Sequence, residues 1–450
     1  MTLKRNFTVL ALILATSAGL SGCATVADLN PFKGKASSNK VQASAGERIS
    51  IIAFDEQLQI SDALKGVDFY LPDAAVRTDW PLPGGTPEQS VEHLAAGANL
   101  EIVWKRGIGK GSDRRVHLTA PPVSAEGVIF TMDAEAGVSA HSVNGGAEVW
   151  RTDLALRDRR DREAFGGGVA YADGKLFVTS GYRFIAALDA KTGVLLWKTS
   201  VEAPIHAAPT VAGGRLFVVS TDNELLTVDT ATGALGWNHQ ALVEPARILE
   251  ATSAAISGDT VIAGFASGEL IALRTGNGND IWSEVLSRAS RTNALSEIRD
   301  IPGRPVIYRG DVFAVSHSGV FAATDLRTGT ARWSLPVSGI STPLPVGDVV
   351  YVVSKPGEVI CVSRETGQVY WIVDLNKDRK KKQRAAWSGP VLASNRLIIV
   401  SSTGELVALN PKTGALEKTV KLGTPALLSP IAVNDTLYLV GDKGVLLAIR

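Results

Sequence analysis

The sequence predicts an all-β chain folded as an eight-bladed β-propeller of four-stranded antiparallel blades, and three observations predict it. A ten-residue phrase, Leu188-Asp-Ala-Lys-Thr-Gly-Val-Leu-Leu-Trp197, recurs every 38 to 51 residues, a period that marks a repeat architecture. Each copy is preceded by short apolar runs separated by Gly, Asn or Asp turns, the pattern of successive hairpins. The repeats also begin with a lone fourth strand and end with a unit that lacks one, so the two ends complete each other.

The phrase has a physical reading. Closer copies are Val228-Asp-Thr-Ala-Thr-Gly-Ala-Leu-Gly-Trp237, Thr324-Asp-Leu-Arg-Thr-Gly-Thr-Ala-Arg-Trp333 and Val362-Ser-Arg-Glu-Thr-Gly-Gln-Val-Tyr-Trp371; looser ones end at Trp150 and Trp282. The Asp bonds backbone amides just ahead of it and opens a turn. The Gly supplies the positive φ that the hairpin needs. The strand that follows ends in Trp, whose flat side chain can bury against a neighbouring repeat. The copy Leu409-Asn-Pro-Lys-Thr-Gly-Ala-Leu-Glu-Lys418 keeps the turn and loses the Trp.

Within each unit the order is constant. A first strand runs into Ala/Ser-Pro-Val, as at Ala208-Pro-Thr-Val211. A Gly/Asn/Asp turn follows, then an apolar second strand such as Arg215-Leu-Phe-Val-Val-Ser220, a second turn, a third strand and the Trp phrase. Eight first-and-second-strand pairs can be counted, the last over 426–440. The chain stops at Val445-Leu-Leu-Ala-Ile-Arg450, a third strand, while Asn99-Leu-Glu-Ile-Val-Trp104 is a fourth strand with no unit before it. Residues 99–105 are therefore expected to close the ring against the C-terminal hairpin and so remove open sheet edges.

Upstream of the ring, residues 1–22 read as a signal peptide: Lys4 and Arg5, then an apolar core over Phe7–Leu20 that is short for a membrane span. The segment ends in Leu20-Ser21-Gly22-Cys23, which looks like a bacterial lipobox. Cys23 is then the acylated first residue of the mature chain, held by its palmitate-type chains. Ala24, rather than Asp, in the next position favours the outer membrane in the sorting logic of this class. Residues 23–46 form a polar tether, residues 47–97 an N-terminal extended arm of irregular chain lying on the main domain, and residues 98–450 the propeller. With 46 basic and 45 acidic residues, no global charge points to nucleic acid. Two cysteines, Cys23 and Cys361, make no disulfide framework.

The Asp-x-x-Thr-Gly-x-x-x-Trp phrase resembles the repeat of quinoprotein (PQQ-type) propellers. With the lipobox and eight blades, the chain resembles the BamB family, lipoprotein subunits of the BAM complex that inserts β-barrels into the outer membrane. The resemblance covers about residues 80–450. It implies a non-catalytic scaffold on the periplasmic face, bound to the barrel-inserting BamA-type subunit and to other lipoproteins of the complex, with no cofactor and no small-molecule substrate. Family contacts, carried over by repeat phase, fall on loops 244–252 and 294–304, with Arg247, Ile248, Leu249, Glu297, Arg299 and Asp300 as the partner-binding candidates. Two alternatives stay open: a PQQ-dependent dehydrogenase-like enzyme, or a propeller lipoprotein of another envelope complex. Against the enzyme, Cys361 has no adjacent cysteine for the redox ring of that family, and His93, His117, His141, His206, His239 and His317 show no metal-ligand spacing. No catalytic or metal-binding residue is assigned. The charged stretches 154–164 and 374–384 read as solvated loops.

Overall fold

Each repeat folds as the alternation of apolar runs and turns dictates, into one antiparallel sheet. The computed structural model describes residues 58–156, 164–244, 252–287 and 298–450; these lie within one compact unit, Asp55–Arg450. The described residues contain eight four-stranded sheets. Blades 1 to 7 span 123–153, 167–200, 210–240, 255–285, 306–335, 344–374 and 387–421. Blade 8 is composite: Ile431–Val433, Thr436–Gly441 and Val445–Ile449 pair in sequence, and Ile102–Gly107 adds the outer strand antiparallel to Val445–Ile449. Closure thus uses the segment expected, shifted toward the C-terminus, with a register shift between Ile102 and Trp104. Backbone bonds between Glu101 and Arg450, 2.8 and 2.9 Å long, tie the two ends. In each blade the middle strands are buried and, except in blade 6, where only Asp374 of Val369–Asp374 is exposed, the outer strand is largely exposed; in blade 2, Lys175–Ser180 and Phe184–Asp189 are almost wholly buried and Leu195–Ser200 faces solvent.

The Trp phrase locks one blade to the next. Asp189 Oδ1 accepts from the Lys191 and Thr192 amides and the Thr192 hydroxyl at 3.1, 2.8 and 2.7 Å. The Thr192 bonds hold this carboxyl below its usual range, and Asp229 and Asp325 repeat the arrangement. The turn Gly that follows lies directly on the Trp of the preceding blade: Gly193 on Trp150, Gly233 on Trp197, Gly278 on Trp237, Gly329 on Trp282. Each of those indoles donates Nε1–H to a carbonyl of the turn it covers, at 2.8 to 3.3 Å. Lys418 now has a reason. Blade 7 faces blade 8, where the third and fourth strands, Val445–Ile449 and Ile102–Gly107, are not joined by a hairpin, so there is no turn Gly for a Trp to cover. Lys418 Nζ instead reaches the Asn99 carbonyl at 2.6 Å.

Two glycines separate the backbone and packing contributions. Gly233 has φ +75° and a Cβ there would lie 2.6 Å from Trp197, whereas Gly213 has φ +57° with nothing within 4 Å. Gly233→Ala is expected to cost roughly 2–3 kcal/mol, from left-handed strain plus displaced Trp197. Gly213→Ala should cost only the strain, about 1 kcal/mol. Chemical denaturation midpoints of the two variants measure the difference; equal shifts would mean the Trp–Gly contact contributes nothing.

Residues 58–97 contain almost no regular structure beyond a 3-10 turn at Asp62–Leu64, yet they bond to every blade. The Trp80 and Ser124 backbones exchange two bonds of 2.7 Å in blade 1, and Tyr171 of blade 2 donates to Pro81 O at 2.7 Å. Gln89 Nε2 reaches Thr210 Oγ1 of blade 3 and Ala254 O beside blade 4, both at 3.0 Å. The Ile307 amide of blade 5 donates to Glu88 O at 2.9 Å. Tyr70 N bonds Asp348 of blade 6 at 2.9 Å. Leu94 N bonds Leu392 O of blade 7 at 3.0 Å, and Asn434 N of blade 8 bonds Arg77 O at 2.6 Å. The arm thus spans the ends of the inner strands on the face that carries the Trp–Gly turns. His93 serves it structurally, its ring lying between Pro72 O and the Asn395 amide at 2.8 Å each.

Candidate functional site

Strand order sets two faces. Inner strands run from the face where the blades are joined toward the face covered by the arm, so the long inter-blade loops emerge opposite the arm. The described ends of loops 244–252 and 294–304, Glu244 and Thr252 of the first and residues 298–304 of the second, sit at this joining face, at the neighbouring junctions of blades 3/4 and 4/5. Arg247, Ile248, Leu249 and Glu297 lie outside the described residues, as does Cys23. Arg299 is exposed. Asp300 is buried at 2% exposure, its carbonyl accepting from the His317 amide at 2.8 Å: the chain has already turned inward toward blade 5, so Asp300 belongs to the foot of the loop and not to its charged rim. The loop stems carry an apolar signal that sequence reading missed. Leu242 and Val243, ahead of the first loop, are 66% and 75% exposed, and Val285, ahead of the second, is 54% exposed.

The basic stretch after blade 6 is mostly solvent-facing, including Lys380, Lys381 and Lys382. Arg379 is the exception, paired with Glu405 and lying 5.2 Å over the Trp387 ring. Cys361 is a free, fully buried thiol whose pKa is pushed up by burial, so it packs as an apolar side chain.

On the central axis lies a cavity of about 590 Å³, with Trp80, Gln89 and Val91 of the arm at one end and segments preceding the inner strands as its wall. Its lining mixes apolar side chains, several prolines and hydroxyls with His117, His206, Arg304 and Asp442. Phe165 stands between the two histidines, edge-on to His117 at 5.1 Å and stacked on His206 at 4.9 Å. Burial raises the pKa of Asp442, with His117 acting in the opposite sense. Arg304 is held through its backbone N–H, which donates to Thr342 Oγ1 at 3.1 Å. Burial lowers its pKa to about 10, so it stays cationic at neutral pH. Among the described residues no group of three His, Cys, Asp or Glu side chains could hold a metal ion.

Comparison with known proteins places this architecture. The family model described as "Outer membrane protein assembly factor BamB" matches residues 134–373 and 374–450. The outer membrane protein assembly factor BamB of Salmonella typhimurium is 30% identical over 345 residues, which is 76% of this chain and 86% of that one. The crystal structure of BamB from Moraxella catarrhalis superposes with a TM-score of 0.66 at 22% identity, covering 78% of this chain and 99% of that one. A quinohemoprotein alcohol dehydrogenase from Comamonas testosteroni also has a TM-score of 0.66, at 14% identity, over 83% of this chain and 81% of that one; at that identity the likeness is one of fold alone. With most of its length matched, the chain belongs to the BamB family of outer membrane protein assembly factors.

Proposed function

We propose that this protein is a non-catalytic scaffold of the outer-membrane β-barrel assembly complex, anchored to the periplasmic face through lipidated Cys23. It docks on the barrel-inserting BamA-type subunit, alongside the other lipoproteins of the complex, through loops 244–252 and 294–304. The observation that carries this reading is the family match over most of the chain. Local support comes from exposed Leu242, Val243 and Val285 at the stems of two adjacent loops that also contain Ile248, Leu249 and Arg299. An apolar centre ringed by charge is the composition of a protein interface, and a rigid disk on a lipid anchor raises local concentration at its partner.

Pull-down of the barrel-inserting subunit tests the surface. Leu249→Asp and Arg299→Glu should each weaken capture by about thirtyfold, the scale of a hot-spot loss, with the melting temperature unchanged. Charge reversal at Lys380, Lys381 and Lys382 is the control and should leave capture intact. Cys23→Ala in the same cells should move the protein out of the outer-membrane fraction and abolish fatty-acid labelling. Loss of capture by the control, with retention in both loop variants, would put the partner face elsewhere; a dehydrogenase electron acceptor in the pull-down would favour the enzyme.

A further inference from the structure

We propose that the outer edge of blade 2 is a contact site for an anionic lipid surface, with Val194, Leu195 and Leu196 entering the interface and Lys191 and Lys198 meeting the lipid phosphates. This goes beyond the scaffold reading. It assigns a surface on the rim of the disk, at the arm-face end of the outer strand and away from the joining-face loops, and it stands or fails separately.

Comparison of the repeats carries the inference. Blades built on one template differ where the template does not dictate the residue, so a feature confined to one copy has a cause outside the packing they share. Between the turn Gly and the position of the Trp, blade 2 has three aliphatic residues, Val194-Leu195-Leu196. In blades 1 and 3 to 7 that run is interrupted, by Glu148, Gly236, Asp280, Arg332, Gln368 and Glu417 in turn. The three side chains of blade 2 are not packed away: they are 61%, 45% and 48% exposed. Val149 on blade 1 and Leu235 on blade 3 are exposed as well, so the apolar surface continues onto both neighbours.

Backbone and charge decide what covers this edge. Leu188 pairs with Leu195 and Ala187 with Trp197, so Leu196 is an extra residue in a bulge. A bulge twists an edge and breaks its row of free backbone groups. The edge is therefore a poor template for an added strand, whereas a lipid surface needs no backbone pairing. Lys191 and Lys198 are exposed on either side of the apolar run, and neither lies within ion-pair distance of a carboxylate among the described residues. Lys198 Nζ rests 3.9 Å over the Phe184 ring, which positions the amine without neutralising it. The carboxylates nearby are engaged: Asp189 and Asp229 accept bonds within their own hairpins, and Glu148 pairs with Arg151 at 2.6 Å. Asp153 and Glu202 lie at the far, joining-face ends of the outer strands of blades 1 and 2.

The partner chemistry follows. Aliphatic side chains flanked by unpaired lysines are the composition of a surface that lies in a lipid headgroup layer, and each lysine near an anionic leaflet strengthens the contact. The rim of a propeller is convex, so a flat partner meets blade 2 first, with Val149 and Leu235 to either side. Such a contact stands the disk on its rim and leaves the joining face free for a protein. It is weak by itself and reversible, and a covalent lipid on the same chain supplies the second attachment that stable membrane association requires.

The test is co-sedimentation of the unlipidated mature chain, Cys23→Ala, with vesicles of phosphatidylcholine alone and of phosphatidylcholine and phosphatidylglycerol in equal parts. All eight blades lie within Asp55–Arg450, so the fold does not depend on the lipid. The mixed vesicles should bind the protein at least about tenfold more tightly than the neutral ones, and salt should weaken the binding. Lys191→Gln with Lys198→Gln should reduce it about thirtyfold, and Leu195→Ser with Leu196→Ser about tenfold. A fluorophore sensitive to polarity, attached at Leu196→Cys, should shift to the blue on the mixed vesicles, and one at Ala331→Cys, on the outer strand of blade 5, should not; Cys361 is buried and escapes labelling. The labelled pair decides even if the serine variant fails to fold. Absence of binding at lipid up to about 10 mM, serine and glutamine variants that bind like the unaltered chain, or equal responses at 196 and 331 would overturn the proposal. A dimer that forms without vesicles and is lost in the serine variant would overturn it too, and make this edge an interface between copies.

Discussion

A chain that begins at residue 108 is expected to have no stable monomeric fold. The deletion removes Ile102–Gly107, the outer strand of blade 8, and leaves the backbone edge of Val445–Ile449 unpaired. It also removes Trp104, which lies on Gly146 of blade 1 and 5.8 Å from Tyr438. Blade 8 then loses its seal to blade 1 as well as its own fourth strand, and the buried run Leu446–Ile449 becomes an apolar edge ready to pair with another chain. Size-exclusion chromatography and circular dichroism should show aggregate in place of the monomer. Removal of residues 24–46 alone should leave elution and melting unchanged, since the sequence there is rich in small and polar residues. A monodisperse, cooperatively melting chain from residue 108 would contradict closure by this strand.

Trp80→Ala should produce the largest loss among single substitutions of the arm, about 3–5 kcal/mol. Trp80 is 3% exposed and packs in one cluster with Val91, Leu94 and residues of blades 7 and 8. Its indole N–H donates to Pro83 O at 3.3 Å, and Arg77 lies 5.7 Å over its ring. Truncation leaves a cavity that the stiff Pro81–Pro83 turn cannot collapse to fill. Urea denaturation should show a lower midpoint, and limited proteolysis should open new cleavage between residues 70 and 95. A midpoint within about 0.5 kcal/mol of the unaltered protein would mean that the arm rests on the ring without bracing it.

The ring was legible in the sequence because its determinants are local and repeated. Asp189, Gly193 and Trp197 act within ten residues of one another, and the same spacing recurs in blade after blade. Even the missing Trp at 418 was visible, although its cause was not: that depends on two strands distant in sequence, Ile102–Gly107 and Val445–Ile449, meeting in the next blade. The arm was legible only as irregular chain. Its bonds go one or two at a time to eight separate blades, through Trp80, Pro81, Gln89 and Leu94 among others, and such contacts leave no period. The cavity was less legible still. His117 and His206 become neighbours only through Phe165, which no spacing reveals. Asp300, grouped by sequence with exposed charges, is buried because the chain turns toward blade 5 one residue after Arg299.

Closing a ring with strands as far apart in sequence as Ile102–Gly107 and Val445–Ile449 has a consequence for the order of events during synthesis. Ile102–Gly107 is made among the first of the strands, and its partner Val445–Ile449 is the last. At ordinary elongation rates the first strand waits on the order of tens of seconds for its mate. Throughout that interval blades 1 to 7 can form one after another, but each nascent array ends in an uncovered blade face, and the arm has only part of the ring to bind. Val445–Ile449 therefore acts as a completion signal written into the fold: a chain cut short before this strand has no route to a finished molecule, however well its earlier blades are made.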